Sequence, residues 1–263
     1  MDYQYIKVEK KGHLTTITIN RPEVMNALHP PAHHELSRAF DEYTADPSAW
    51  VAIITSAGDR AFCSGNDLKY QMQHGREVLE REMRGLKGGF AGITARFDCY
   101  KPIIAAVNGV AAGGGTEIAL ACDIIISAET AIFGLPEPKV GLFSGAGGIH
   151  RLARQIPYHI AMGLALTGRL IGAHEAKQIG MVNEVVPPAD LMPTAERWAG
   201  EIIDNSPLSV RGTKRMILEG LDGTLEQAVT RNYPVAEEIL KSEDMLEGIR
   251  AFTEKRKPQW KGK

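Results

Sequence analysis

The stretch GGGTEIALACD, Gly113–Asp123, constrains the fold of this chain more than any other segment. It follows PIIAAVNG, so the pattern predicts a buried strand that runs into a glycine triplet and then into a helix. Glycines cost backbone entropy, and Glu117 lies in the first helical turn among apolar residues, where burying a carboxylate is costly. Because both costs fall together, the segment indicates a site that needs backbone N–H groups and a carboxylate side by side.

Similar units of strand and glycine recur through the first two thirds of the chain. An N-terminal hairpin is predicted, and Pro30 and Pro31 open a predicted helix that ends at Ala45. From residue 149 onward the pattern is mostly helical, with one strand signal before Pro187 and Pro188. We therefore predict an α/β fold of stacked βα turns followed by a helical region. The segments that predict strands in the first two thirds are YIKVEKKGHLTTITI, VAIITSAG, PIIAAVNG and DIIISAETAIFG. The sequence also predicts a loop in DRAFCSGNDL, a polar helical stretch after it to about Lys101, and a helix in VAAGGGTEIALAC after Asn108.

Length and composition exclude several classes of protein. The chain has 263 residues, 44% of them hydrophobic, which suits one large globular domain or one domain with an appendage. A formal net charge of −2 is unlike a nucleic-acid-binding protein, which carries a basic stripe. Three widely spaced cysteines indicate a reducing compartment, and no apolar run is long enough for a signal peptide or a membrane span. The expectation is a soluble cytoplasmic protein.

Several catalytic and metal-binding motifs are absent or incomplete. The glycine triplet has the wrong spacing for a dinucleotide fingerprint, and Ser64 and Ser144 lie outside any G-x-S-x-G motif. His29 and His33 are four residues apart, as zinc ligands can be, but two prolines separate them and no third ligand is close in sequence. We predict that these histidines face solvent at the start of a helix and that the chain has no metal site.

The two glycine loops predict an anion-binding site. AFCSGNDL follows one predicted strand and AAGGGTEIAL follows another, so neighbouring strands would bring two backbone N–H groups to one oxygen. Such a pair stabilises a developing enolate or a tetrahedral intermediate. Glu117 and Glu137, the latter between two prolines, are the acid–base candidates. The alternative is structural: a helix-start acid and a solvated loop acid, with Asp67 and Asp123 as caps.

Five segments in one order resemble the enoyl-CoA hydratase/isomerase (crotonase) superfamily, from about Ile6 to Trp260. The resemblance implies a spiral of ββα repeats in residues 1–190, which holds the active site, and a helical trimerisation region in residues 191–263. It also implies trimers, often paired into hexamers, and an acyl-CoA thioester as the substrate. The segments are NRPEVMNAL, AFCSGNDL, PIIAAVNG through PEPKVGL, GAGGIHRLAR and ALTGRL through NEVVP.

Matched residue by residue, the resemblance assigns the oxyanion hole to the N–H groups of Asn66 and Gly114. Glu117 would act as base on water and Glu137 would protonate the α-carbon. The resemblance implies that the substrate is held by eight further residues and that no cofactor is needed beyond the coenzyme A of the substrate. Those residues are Met25, Ala27, Ala61, Ser64, Leu68, Lys69, Phe143 and Lys255, the last from a neighbouring subunit.

The superfamily hosts several reactions, and the acidic positions discriminate among them. Glutamate at both places, as here, is the pattern of hydratases, so the resemblance implies reversible syn hydration of a 2-enoyl-CoA, carnitinyl-CoA-type dehydration included. Double-bond isomerisation, thioester hydrolysis and retro-aldol cleavage are the alternatives, followed by a non-catalytic CoA-binding or RNA-binding role. Phe143 and Ser144 stand where many hydratases have a proline, which indicates an acyl group other than a short straight chain.

Overall fold

The computed structural model describes residues 3–263, apart from the side chain of Arg76. Its architecture is mixed α/β, with two sheets surrounded by helices. The strands are β1 Ile6–Lys11, β2 Leu14–Ile19, β3 Val51–Ser56, β4 Ala61–Cys63, β5 Ile103–Val107, β6 Val110–Ala112, β7 Ile124–Ala128, β8 Ile132–Gly134, β9 Ile171–Gly172 and β10 Glu184–Val186.

Helices occupy much of the remaining chain and dominate its last third. In the part of the chain that the structure describes, no helix is both long and apolar enough to cross a bilayer. The helices are α1 Pro30–Ala45, α2 Leu68–His74, α3 Arg76–Glu82, α4 Gly114–Ala121, α5 Gly148–Gln155, α6 Tyr158–Thr167, α7 Ala173–Gln178, α8 Leu191–Ile203, α9 Pro207–Gly220, α10 Leu225–Thr230, α11 Pro234–Leu240 and α12 Glu243–Thr253.

Successive strands divide between the two sheets. The larger sheet has the order β1-β2-β3-β5-β7-β10, and the smaller has the order β4-β6-β8-β9. Thus β3, β5 and β7 each enter the larger sheet, and the strand that follows each of them enters the smaller one; both sets pair in parallel. A helix comes after each pair of strands, directly after β6 as α4. The predicted α/β fold of ββα units is confirmed.

The larger sheet is covered on both faces. Along β3, Ala52 and Ile54 belong to the core that contains α1 and α4, whereas Val51 and Ile53 pack with α8. This alternation is the two-residue period of a strand, and it explains why β3 is apolar throughout. Both faces of the larger sheet are therefore part of the protein interior.

Three local predictions were wrong in detail. The predicted loop DRAFCSGNDL contains β4, and the predicted helix after Asn108 begins with β6, because strands of three residues are too short to show a period. The polar helix predicted to reach Lys101 ends at Glu82. Four glycines with φ between 67° and 77° interrupt the chain beyond it: Gly85, Gly88, Gly89 and Gly92.

Candidate active site

The two predicted glycine loops meet where β4 pairs with β6. The strands are parallel, with Cys63 opposite Ala111, so both loops leave the smaller sheet at the same edge. Gly65 has a φ of 95°, and a Cβ added there would lie 3.1 Å from the Gly114 nitrogen. Glycine at this position therefore supplies the left-handed backbone and keeps the space between the loops open.

Two backbone N–H groups beside this space have no acceptor among residues 3–263: those of Asn66 and Gly114. The hydrogen bonds around Asn66 use its neighbours, since the Leu28 N–H donates to Gly65 O and the Asp67 N–H donates to Leu28 O, both at 2.8 Å. Gly114 is the first residue of α4, where N–H groups lack partners within the helix. The structure thus brings the two predicted oxyanion donors to adjoining loops at the positive end of a helix.

Glu117 is buried in the first turn of α4, with 4% of its surface exposed. Its Oε1 accepts a hydrogen bond of 2.8 Å from the N–H of Gly148, the first residue of α5. Burial raises the pKa of Glu117, the Gly148 hydrogen bond acts in the opposite direction, and the charge of Glu137 raises the pKa further. A carboxyl group that is oriented by a backbone hydrogen bond and has a raised pKa has the properties of a general acid or base.

Glu137 begins a short 3₁₀ turn that follows β8. Its Oε1 lies 2.7 Å from the position of a Cβ on Gly113, so the carboxylate is beside the peptide that enters α4. Its Oε2 is buried and has no hydrogen-bond partner within the described residues. A buried carboxylate oxygen without a partner is costly, and a bound ligand or water would satisfy it. The predicted pair of glutamates therefore flanks one helix start.

The prediction for the two histidines was wrong. Both are buried, His29 with 6% and His33 with 1% of their surface exposed. The Nδ1 of His33 accepts a hydrogen bond of 3.0 Å from the Ala91 N–H, and burial lowers the pKa of His33 to about 3. His33 is therefore neutral, and its hydrogen bond supports the loop that contains Ala91. Ala91 has a left-handed backbone conformation, which the local sequence does not indicate. No group of three metal-ligating side chains occurs in the part of the chain that the structure describes.

A cavity of about 710 Å³ lies next to the start of α4 and the segment that binds Glu117. Its walls come from residues 89–97 and 145–154. Phe90 is shared with the glycine loops, because a Cβ on Gly114 would lie 2.4 Å from the Cζ of its ring. Gly147, also in the wall, directly precedes the Gly148 N–H that binds Glu117. The cavity therefore begins beside the carboxylate and the helix start, and can receive one end of a ligand.

Four of the predicted ligand-contact residues lie together at the other side of the first glycine loop. The Ser64 N–H donates to Met25 O at 3.1 Å, and the Asn26 side chain donates to Ala61 O at 2.7 Å. Ala27 is buried in the same segment. Met25 and Asn26 both have positive φ values, 55° and 53°, so the segment turns sharply to meet the loop.

The other four predicted contact residues are more dispersed. Leu68 and Lys69 are exposed at the start of α2, immediately after the glycine loop. Phe143 is 75% exposed on the loop before α5 and does not line the 710 Å³ cavity. The structure does not bring Lys255 to this cluster, because it follows α12, which packs with α11 and the C-terminal tail.

The sequence analysis did not identify Gly148, Phe90 and Asn26 as residues of the site. A signal for Gly148 was available, because paired glycines before an apolar helix often expose N–H groups, but Phe90 and Asn26 act only through contacts between distant segments.

The capping role considered for Asp67 is confirmed, since its Oδ1 accepts from the Tyr70 N–H at 3.1 Å. Asp67 also forms a largely buried ion pair of 3.1 Å with Arg21.

Comparisons with known proteins agree with this geometry. Residues 9–263 match the family model described as enoyl-CoA hydratase/isomerase. A carnitinyl-CoA dehydratase from Proteus mirabilis is 40% identical over 99% of both chains, and an (E)-benzylidenesuccinyl-CoA hydratase from Thauera aromatica is 38% identical over 98% of this chain and 99% of that one. The crystal structure of an enoyl-CoA hydratase from Bacillus anthracis superposes with a TM-score of 0.92 at 36% identity, covering 99% of this chain and 100% of the other. The predicted resemblance is confirmed: the chain belongs to the enoyl-CoA hydratase/isomerase family and has the crotonase fold.

Proposed function

We propose that this chain is a hydro-lyase that catalyses the reversible syn addition of water to a 2-enoyl-CoA, giving a 3-hydroxyacyl-CoA. One observation carries the proposal: two unpaired N–H groups, of Asn66 and Gly114, adjoin two carboxyl groups, of Glu117 and Glu137. The relatives from Proteus mirabilis and Thauera aromatica are named for dehydration and hydration of CoA thioesters, which supports the same class of reaction here.

The proposed oxyanion hole acts on the thioester carbonyl. With its oxygen between the Asn66 and Gly114 N–H groups, negative charge that develops on that oxygen meets two donors and the positive end of α4. These donors are held by the smaller sheet before the substrate arrives, so they need no rearrangement during the reaction. Removing one such donor from comparable sites costs about 10²–10³ in kcat.

The two glutamates divide the proton transfers. Glu117 accepts a proton from water as the water oxygen bonds to the β-carbon, and protonated Glu137 gives its proton to the α-carbon of the enolate. One proton then returns from Glu117 to Glu137, so that the sum is the addition of one water. The Gly148 N–H donates to Oε1 of Glu117 and so fixes the orientation of the carboxylate that accepts the proton. Because burial raises the pKa of Glu117, its ionised form is a stronger base than an ordinary carboxylate.

We propose that the CoA moiety lies along Met25, Ala27, Ala61 and Ser64, which adjoin the first glycine loop. Leu68 and Lys69 would follow it on α2, and Phe143 would border the acyl group. Lys255 would contribute from a neighbouring subunit. Because carboxyl groups move both protons and N–H groups bind the charge, the mechanism uses no cofactor beyond the coenzyme A of the substrate.

We also propose that residues 191–263 form an oligomerisation region after the catalytic core of residues 1–190, giving a trimer or a dimer of trimers. On α12, Leu246, Ile249 and Phe252 are 60–86% exposed at a helical spacing that puts them on one face. An apolar stripe of this kind is stabilised by burial against another chain. Three buried, unpaired cysteines support a reducing, cytoplasmic location.

The test is the hydration of crotonyl-CoA and longer 2-enoyl-CoAs, followed by loss of the conjugated absorbance. We expect activity in the unmodified protein and a loss of several orders of magnitude in kcat for Glu117→Gln and for Glu137→Gln. Glu201→Gln is the matched control, because Glu201 is exposed on α8 and pairs with Arg197.

Each outcome bears on the proposal separately. Full activity in either glutamine variant, with the same thermal unfolding as the parent, would refute the two-carboxylate mechanism. A chain that hydrates none of these substrates but isomerises, hydrolyses or cleaves an acyl-CoA would replace hydration with one of those reactions. Analytical ultracentrifugation checks the oligomer, and a monomer at micromolar concentration would contradict it.

A further inference from the structure

The 710 Å³ cavity next to the start of α4 has a net positive wall. None of its lining residues is acidic, and Arg151 and Arg154 both contribute to it from α5. Neither guanidinium takes part in an ion pair within the described residues. Their hydrogen bonds go to backbone carbonyls instead, from Arg151 to Thr94 O at 2.7 Å and from Arg154 to His150 O at 3.0 Å. Each guanidinium therefore retains donors that an anion could use.

The arginines are placed at successive turns from the reacting end of the site. Gly148, the first residue of α5, binds Glu117 through its N–H, and Arg151 and Arg154 follow at three-residue intervals. Each interval advances about 4.5 Å along a helix. A linear acyl chain that passes Glu117 into the cavity would therefore meet Arg151 after a few carbons and Arg154 beyond it. The rest of the wall is largely apolar and includes the aromatic rings of Phe90 and Phe97.

Arg151 is also held in place before any ligand binds. Its guanidinium lies 5.8 Å from the Phe97 ring centre and donates to the Thr94 carbonyl. A guanidinium fixed by neighbours loses little conformational freedom when it binds a carboxylate, and its planar fork matches the two carboxylate oxygens. A wall built this way repels a cationic group and does not favour a neutral one.

We propose that the acyl group of the substrate carries a carboxylate at the end distant from the thioester, and that Arg151 and Arg154 bind it across an apolar stem. This inference rests on the proposed function, because it uses the orientation of a thioester at Asn66 and Gly114. It selects a dicarboxylic mono-CoA thioester over a neutral or quaternary-ammonium acyl chain.

The experiment compares substrates that differ at one terminal group. The pair is 2-hexenoyl-CoA and its analogue with a carboxylate in place of the terminal methyl group; 4-trimethylammonio-2-butenoyl-CoA represents the cation. We expect kcat/KM to be at least about tenfold higher for the carboxylate than for the methyl substrate, and lowest for the cation. Arg151→Gln and Arg154→Gln should each lower the carboxylate-to-methyl ratio by about tenfold, and Arg151→Lys should retain part of it.

Arg197→Gln is the matched control, because Arg197 is an exposed arginine on α8 that pairs with Glu184 and Glu201. It should keep the ratio of the parent protein. A parent ratio of one or less, or a preference for the cation, overturns the inference. So does an equal loss for all three substrates in the arginine variants, because that is the result of a purely structural role.

Binding of saturated thioesters separates this inference from the proposed reaction. Calorimetry should give at least about tenfold tighter binding of adipoyl-CoA than of hexanoyl-CoA. Arg151→Gln and Arg154→Gln should each remove this difference in affinity. If this holds while no 2-enoyl-CoA is hydrated, the proposed reaction fails and the anion site stands. If the variants weaken hexanoyl-CoA and free CoA as much as adipoyl-CoA, the arginines bind the phosphates of CoA and the inference is overturned.

Discussion

At Gly115 helix α4 packs directly against the backbone of β4, and replacing this glycine with alanine tests how the site is built. A Cβ at Gly115 would lie 1.9 Å from the backbone oxygen of Cys63, whereas real Cβ contacts stay beyond about 3.0 Å. Gly115→Ala must therefore separate the helix from the strand by about 1.1 Å, because a backbone oxygen cannot rotate aside. Overpacking of this kind costs about 1–3 kcal/mol of unfolding free energy.

The same displacement moves the Asn66 N–H, which follows β4, away from the Gly114 N–H. A misplacement of about 1 Å lowers a rate by about 10²-fold, so kcat for 2-enoyl-CoA hydration should fall by that factor. Calorimetry should show Tm lowered by about 2–4 °C for each kcal/mol. The control is Gly200→Ala on α8, where an added Cβ meets nothing within 4 Å and Tm should hold or rise. A Gly115→Ala enzyme with reduced Tm but unchanged kcat would refute the coupling between the two loops.

Two further predictions concern charge. Because burial raises the pKa of Glu117, its neutral form favours the folded state, and stability should decline as pH rises from about 4.5 through that raised pKa. The Tm advantage of Glu117→Gln should therefore be larger at pH 7.5 than at pH 4.5, and a constant difference would contradict the assignment. Asp67→Asn leaves Arg21 without its carboxylate and should lower the unfolding free energy by about 3 kcal/mol in denaturant titrations. The exposed Arg169–Glu175 pair is the comparison, since Glu175→Gln should cost less than about 1 kcal/mol; equal losses would show that burial of the pair is irrelevant.

The sequence was most informative where local pattern and function coincide. Strand β5, the helix that begins at Gly114 and the position of Glu117 in its first turn all follow from hydrophobic period and glycine placement. The burial of His33 was not predicted, because its hydrogen-bond partner, Ala91, lies 58 positions away in the sequence. Ala91 adopts a φ of 53°, which the local sequence does not indicate. The segment after Glu82 was misjudged because its polar composition suits a helix, whereas four left-handed glycines direct it elsewhere.

The division of each strand pair between two sheets determines which parts of the sequence can accept substitutions without loss of the reaction. The N–H donors of Asn66 and Gly114 are held in position by the paired strands β4 and β6. Close backbone contacts at Gly65 and Gly115 fix the distance between the two loops. The cavity walls, by contrast, come from irregular chain around Phe97 and from α5, neither of which pairs with a strand. Chemistry and substrate preference therefore reside in separately variable parts of the sequence, and new acyl groups can be accommodated while the reaction stays the same.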